Sequence, residues 1–170
     1  MNTVGHLPIV DSLSAATSCT LLWPTEADTQ AWATALAAKP ELHNAIIELH
    51  GELGAGKTTL VRHLLRALGV PGRIKSPSYA VLEPHDAPTA QGVLAISHFD
   101  FYRFSDPSEW EDAGFRDTFT APGLKLVEWA DNARAALPVP DMAVHITVHA
   151  DDSRQARIEA FTTTGKALLA

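Results

Sequence analysis

The chain has 170 residues, 46% hydrophobic and 19% charged, a balance that fits a soluble globular chain better than a disordered one and supplies one domain with enough apolar side chains for a core. The net charge of -7 argues against a broad nucleic-acid surface, and the single cysteine, Cys19, excludes an internal disulfide and a cysteine-rich zinc site. No stretch reaches membrane-spanning length, and the N-terminus lacks the basic residues of a signal peptide, so a cytoplasmic location without membrane attachment is the expectation.

In chain order, residues Met1 to Ser18 carry little pattern and read as a loose extension ahead of one domain over 19–170. Leu21, Leu22 and Trp23 read as a first strand. Thr25, with Glu26 and Asp28 in the turn after it, caps a helix continued by Trp32, Ala35, Leu36 and Ala37 and stopped at Lys39-Pro40. The run Ala45–Leu49 is of strand type. After a glycine-rich turn, Leu60, Val61, Leu64, Leu65 and Leu68 recur at helical spacing until Gly69 and Pro71. Ala80–Glu83 reads as a strand, Pro84–Gly92 as a surface hairpin loop, and Val93–Ile96 as a strand running on through His98-Phe99-Asp100-Phe101-Tyr102-Arg103. A turn at Asp106-Pro107 leads to a short helix around Glu109, Trp110 and Glu111. Leu124–Val127 forms a strand ending at Glu128-Trp129, and Asp131–Leu137 is expected to be helical. Two strands, Val144–Val148 and Arg157–Phe161, close the chain around a turn at Asp151-Asp152-Ser153. Strands alternating with helices, then extra strands, imply an α/β fold with a mixed sheet flanked by helices.

The glycine-rich turn carries the chemistry. Gly51-Glu52-Leu53-Gly54-Ala55-Gly56-Lys57-Thr58-Thr59 fits G-x-x-x-x-G-K-[ST] between a strand and a helix. A phosphate chain needs several backbone N–H groups converging on it, and glycines admit that approach and the backbone angles it requires. Lys57 supplies a point charge to the outer phosphates, Thr58 a hydroxyl for magnesium, and the following helix its positive end. A carboxylate completes such a magnesium shell. Asp100 and Glu128 both stand at strand ends, and spacing alone leaves open which one contacts the metal and which positions water. Ser76 and Ser78 lie in a Ser-Pro turn, and a hydroxyl there can also sense a terminal phosphate. His98 reads as a structural neighbour of the carboxylate. Trp32 and Trp110 read as packing residues, and Trp129 as core or a stacking surface. Arg103 reads as the partner of a surface carboxylate, with charge stabilisation on a phosphate as the other reading.

Taken together, GELGAGKTTLVR, SPSY, HFDFYRF, DPSEWEDAGFRDTF and LVEW, in that order, resemble the bacterial TsaE family, also called YjeE. The resemblance runs from about Leu21 to the last strands. It implies a P-loop NTPase-like three-layer sandwich with a mixed, mainly parallel central sheet. It also implies a small magnesium-dependent ATPase of tRNA threonylcarbamoyladenosine biosynthesis that works with TsaD and TsaB, meets tRNA only through that complex, and uses ATP turnover to reset it. Carried over by position, Gly51 to Thr59 bind ATP or ADP, and Thr58, Asp100 and Glu128 hold magnesium. Lys57, Asp100 and Glu128 serve turnover, and Ser78 and Trp129 lie at the nucleotide. The family usually has threonine where this chain has Ser78, so the hydroxyl survives and a methyl is lost. Two other functions share the glycine loop. A small-molecule kinase needs several arginines around an acceptor and a lid, and only Arg62, Arg66, Arg73, Arg103 and Arg116 lie in the middle regions, with no arginine-rich lid segment. A nucleotide-dependent binding module needs no such set as the Thr58 hydroxyl and the Asp100 and Glu128 carboxylates.

Overall fold

The computed structural model describes residues 17–77, 79–106, 108–112 and 114–170. Among them, seven strands form one sheet: β1 (Thr17–Trp23), β2 (Ile46–His50), β3 (Leu82–Thr89), β4 (Gly92–Asp100), β5 (Leu124–Glu128), β6 (Met142–Val148) and β7 (Arg154–Ala160), in the spatial order β1-β7-β6-β2-β5-β4-β3. The centre, β6-β2-β5-β4, is parallel throughout. The remaining pairings, β6 with β7, β7 with β1 and β4 with β3, are antiparallel. Five strands (β1, β6, β2, β5 and β4) therefore point one way and two point back, so the sheet is mixed and mainly parallel, as expected.

Short strands such as β2 (IIELH) and β5 (LKLVE) are buried on both faces, as parallel strands between helical layers are. Alternation sends Leu124 and Leu126 of β5 to one face and Val127 to the other. On the first face lie α1 (Glu26–Ala37) and α2 (Lys57–Ala67), whose Ala33, Leu36, Leu60, Val61, Leu64 and Leu65 pack on Ile47, Leu49 and Leu126. Asp28 fastens the start of α1, accepting hydrogen bonds from the Thr25 N–H at 2.8 Å and the Thr25 hydroxyl at 2.9 Å. The second face carries an aromatic core. Phe99 and Phe101 meet Trp110 of α3 (Ser108–Asp112) and Phe115 and Phe119 of α4 (Phe115–Thr120), with the Phe99 and Phe119 rings 4.6 Å apart. No helix of the described residues is long and apolar enough to cross a membrane.

Several elements differ from the sequence reading. Thr17 and Ser18 already belong to β1, two residues inside the segment read as an extension. Pro84–Thr89 is strand, not loop. The prolines are tolerated because β3 is an edge strand, and Ala87 reaches the core opposite Leu94. β4 stops at Asp100, whose carboxylate accepts the Tyr102 N–H at 2.9 Å and turns the chain there. The helix expected over Asp131–Leu137 is only a 3-10 turn, Ala130–Ala133. Tertiary bonds draw that segment out of helical shape: Asn132 donates its amide to Phe101 O at 2.9 Å, and Arg134 reaches across to Glu48. Two helices were not foreseen, α4 and α5 (Thr163–Leu169). The seven-residue α5 is too short to stand on propensity. It is tied down through Thr162, which accepts the Gly165 N–H at 3.0 Å and donates to Asp141 Oδ1 at 2.7 Å.

Glu48 is a buried carboxylate at the centre of β2. Arg134 grips it with two hydrogen bonds, 2.6 and 2.8 Å, and His50 lies 2.8 Å away. Burial pushes its carboxyl up, but the bonds from His50 and Arg134 outweigh that and hold it at about 2. The folded pKa thus lies below the ordinary value of 4.5. The stabilisation is fully present above that value and is lost as the pH falls toward 2. In Glu48→Gln, the fall in melting temperature below pH 4.5 should be shallower than in the wild type. Parallel curves in a pH series of thermal melts would refute this role.

Candidate nucleotide and metal site

β2 ends at His50 and the chain turns at once through Gly51–Gly56 into α2. Sequence dictates this turn through backbone geometry. A Cβ on Gly51 would fall 2.6 Å from the Ile146 carbonyl oxygen, and Gly56 takes a φ of +113° at the head of α2. No side chain caps the helix, so its first N–H groups face the loop mouth. Lys57 is buried, and its ammonium donates to the carbonyls of Gly51 and Glu52. It also lies 4.4 Å from the centre of the Trp129 ring. Burial lowers the Lys57 pKa, while the charges of Glu128, Asp100 and Glu52 pull the other way.

The parallel pairing of β4 with β5 sets Asp100 directly beside Glu128. Paired residues share a face of the sheet, and this face meets α2. The Thr58 hydroxyl accordingly donates to Glu128 Oε1 at 3.1 Å. The buried His98 places Nε2 2.6 Å from Glu128 Oε2, where an N–H donates to the carboxylate, so the histidine meets Glu128 rather than its sequence neighbour Asp100. Burial raises the Asp100 pKa; the Tyr102 N–H lowers it, and the Glu128 charge raises it again. Thr58, Asp100 and Glu128 line one cavity of about 210 Å³ together with Leu53, Gly54, Gly56, Lys57, Thr59, Trp129 and Arg154. One hydroxyl and two carboxylates form an all-oxygen donor set, the chemistry that suits magnesium beside phosphate oxygens and water. Glu52 and Ala55 shape the loop, with the Ala55 N–H donating to Glu52 O at 3.0 Å. Ser78 lies outside the described residues.

Trp129 takes a φ of +57°, a conformation a bulky side chain adopts only when its surroundings hold it. It bridges Lys57 and the Tyr102 ring, 4.9 Å away, so it stacks at the cavity while its partly buried side chain also packs against the aromatic core. Arg103 lies over Tyr79, 4.9 Å from the ring centre, and pairs with no carboxylate among the described residues. Sequence reasoning missed Arg154. It opens β7 far along the chain, and a lone arginine after an Asp-Asp-Ser turn has no phosphate-binding pattern. Only the sheet order brings it to the glycine loop.

The family model described as threonylcarbamoyl adenosine biosynthesis protein TsaE matches residues 23–158. A tRNA threonylcarbamoyladenosine biosynthesis protein TsaE from Haemophilus influenzae is 40% identical over 124 residues, covering 73% of this chain and 75% of that protein. One from Bacillus subtilis is 34% identical over 142 residues, covering 84% and 82%. Among solved structures, the crystal structure of Bacillus subtilis YdiB matches with a TM-score of 0.71 at 27% identity, over 91% of this chain and 93% of that one.

Proposed function

The chain belongs to the TsaE family of tRNA threonylcarbamoyladenosine biosynthesis, and we propose that it acts there as a magnesium-dependent ATPase. In this reading its partners are the TsaD and TsaB proteins, and ATP turnover resets their complex between cycles. A net charge of -7 accords with reaching tRNA through partners rather than alone.

One observation carries the reading: the Thr58 hydroxyl lies 3.1 Å from Glu128, with Asp100 in register beside it, at the mouth of a loop that ends in Lys57. Glycine backbone and the α2 N-terminus bind the phosphate chain. Lys57 neutralises its outer charge. Thr58, Asp100 and Glu128 hold the metal, which when bound draws electron density from the outer phosphates and fixes their orientation. His98 keeps the Glu128 carboxylate turned toward Thr58. Trp129 packs over Lys57 and limits the side chain's freedom.

The test is ATP hydrolysis by the purified chain, with and without its own TsaD–TsaB pair. Magnesium-dependent turnover should rise at least tenfold with the pair. Tight nucleotide binding without turnover under both conditions would move the protein to the binding-module class, and consumption of a small acceptor in step with ATP would move it to the kinases.

A further inference from the structure

The turn between β6 and β7 is built to hold one cation against the glycine loop. Asp152 takes a φ of +65°, a left-handed conformation in a residue that has a side chain. Its neighbours lock it there: Asp151 Oδ1 accepts both the Ser153 N–H at 3.0 Å and the Ser153 hydroxyl at 2.6 Å, and the His149 N–H donates to Ser153 O at 2.8 Å. The strained residue presents its carbonyl to Arg154, which donates Nη1 to Asp152 O at 2.7 Å and Nε to Ala55 O at 3.3 Å. Arg154 has no ion pair with a carboxylate among the described residues. Two carbonyls anchor the fork, whose five donors they do not exhaust, and Arg154 lines the cavity that also holds Lys57, Thr58 and Glu128.

Sheet order assigns the end of the ligand that this cation meets. From β2, the carboxylates arrive on one side through β5 and β4, and Arg154 on the other through β6 and β7. Metal and outer phosphates therefore belong on the carboxylate side, and the nucleoside end on the arginine side. Arg154, Gly56 and Thr59 also line a second small cavity of about 80 Å³ with Trp23, Glu26 and Thr29, and neither Asp100 nor Glu128 lines it.

We infer that Arg154 grips the α-phosphate of a bound nucleoside di- or triphosphate and so positions the nucleotide along the loop. This rests on the nucleotide site proposed above.

The test measures binding of ATP, of ADP and of the two diastereomers of ATP with sulfur on the α-phosphorus, to the wild type, R154A and R154K. R154A should weaken ATP and ADP by the same factor, roughly ten- to a hundredfold, and should narrow the wild-type preference between the diastereomers. R154K, which keeps the charge but not the fork, should fall between. Unchanged affinity in R154A overturns the inference, as does greater loss for ATP than for ADP, which would mean a grip on the outermost phosphate. Lower affinity with an unchanged diastereomer preference, or no preference in the wild type, also overturns it and leaves Arg154 as a staple on the loop. If R154A does not fold, the R154K measurements decide by the same criteria. Wild-type protein that binds neither nucleotide overturns the phosphate-loop reading too, whereas binding that is lost in K57A and intact in R154A overturns the arginine inference alone.

Discussion

Lys57→Ala should bind ATP and ADP at least a hundredfold more weakly than the wild type and still fold. The side chain is 5% exposed, so its charge acts on a phosphate across little water, where a unit charge is worth several times its value at the surface. Two backbone carbonyls and the Trp129 ring hold the ammonium in place, so little ordering remains to be done when a phosphate arrives. Removing it has a modest effect on stability because two terms oppose each other. The Gly51 and Glu52 carbonyls lose a donor, which costs about 1–2 kcal/mol. Against that, a cation that burial disfavours is gone. Calorimetric titration with a thermal melt of the same sample checks both halves. Retained nucleotide affinity in a folded variant would end the P-loop reading.

Glu128→Gln should leave the fold standing and lower partner-stimulated turnover by about a hundredfold or more. The amide keeps the shape of the carboxylate and removes its charge. It also puts an NH₂ where an acceptor is needed, because both oxygens are engaged, one by Thr58 and the other by His98. Asp100→Asn should lower turnover less, since Asp100 accepts the Tyr102 N–H and stands beside Glu128 rather than on Thr58. Single-turnover hydrolysis with the partners present, scanned over magnesium concentration, separates a weakened metal site from a lost fold. Wild-type rates in both variants would remove the carboxylates from the metal site.

The glycine-rich loop was legible in sequence because everything it needs is contiguous. Gly51, Gly56, Lys57 and Thr58 sit within eight positions, and a strand and a helix flank them. Asp100 and Glu128 were legible as acids at strand ends but not as neighbours. Their pairing depends on β4 lying parallel to β5, a long-range register that no local pattern encodes. His98 shows the same limit: its sequence neighbour is Asp100, and its partner in space is Glu128.

The errors share one cause, the override of local preference by tertiary bonds. Pro84 and Pro88 read as loop residues, yet an edge strand needs only one of its two sides paired. Asp131–Leu137 has the makings of a helix, but Arg134 is claimed by Glu48 and Asn132 by the Phe101 carbonyl. The residues of α5 hold helical shape because Thr162 and Asp141 fasten its first turn.

By itself, then, the sequence determined the glycine-rich loop, the hydrophobic periods of the central strands and helices, and the family resemblance, all properties of short contiguous segments where backbone sterics and side-chain spacing act locally. Tertiary structure alone decided which acid meets Thr58, which arginine reaches the glycine loop and which segments complete the sheet. Those outcomes depend on strand order and register, which the burial of the whole core selects and no single segment can.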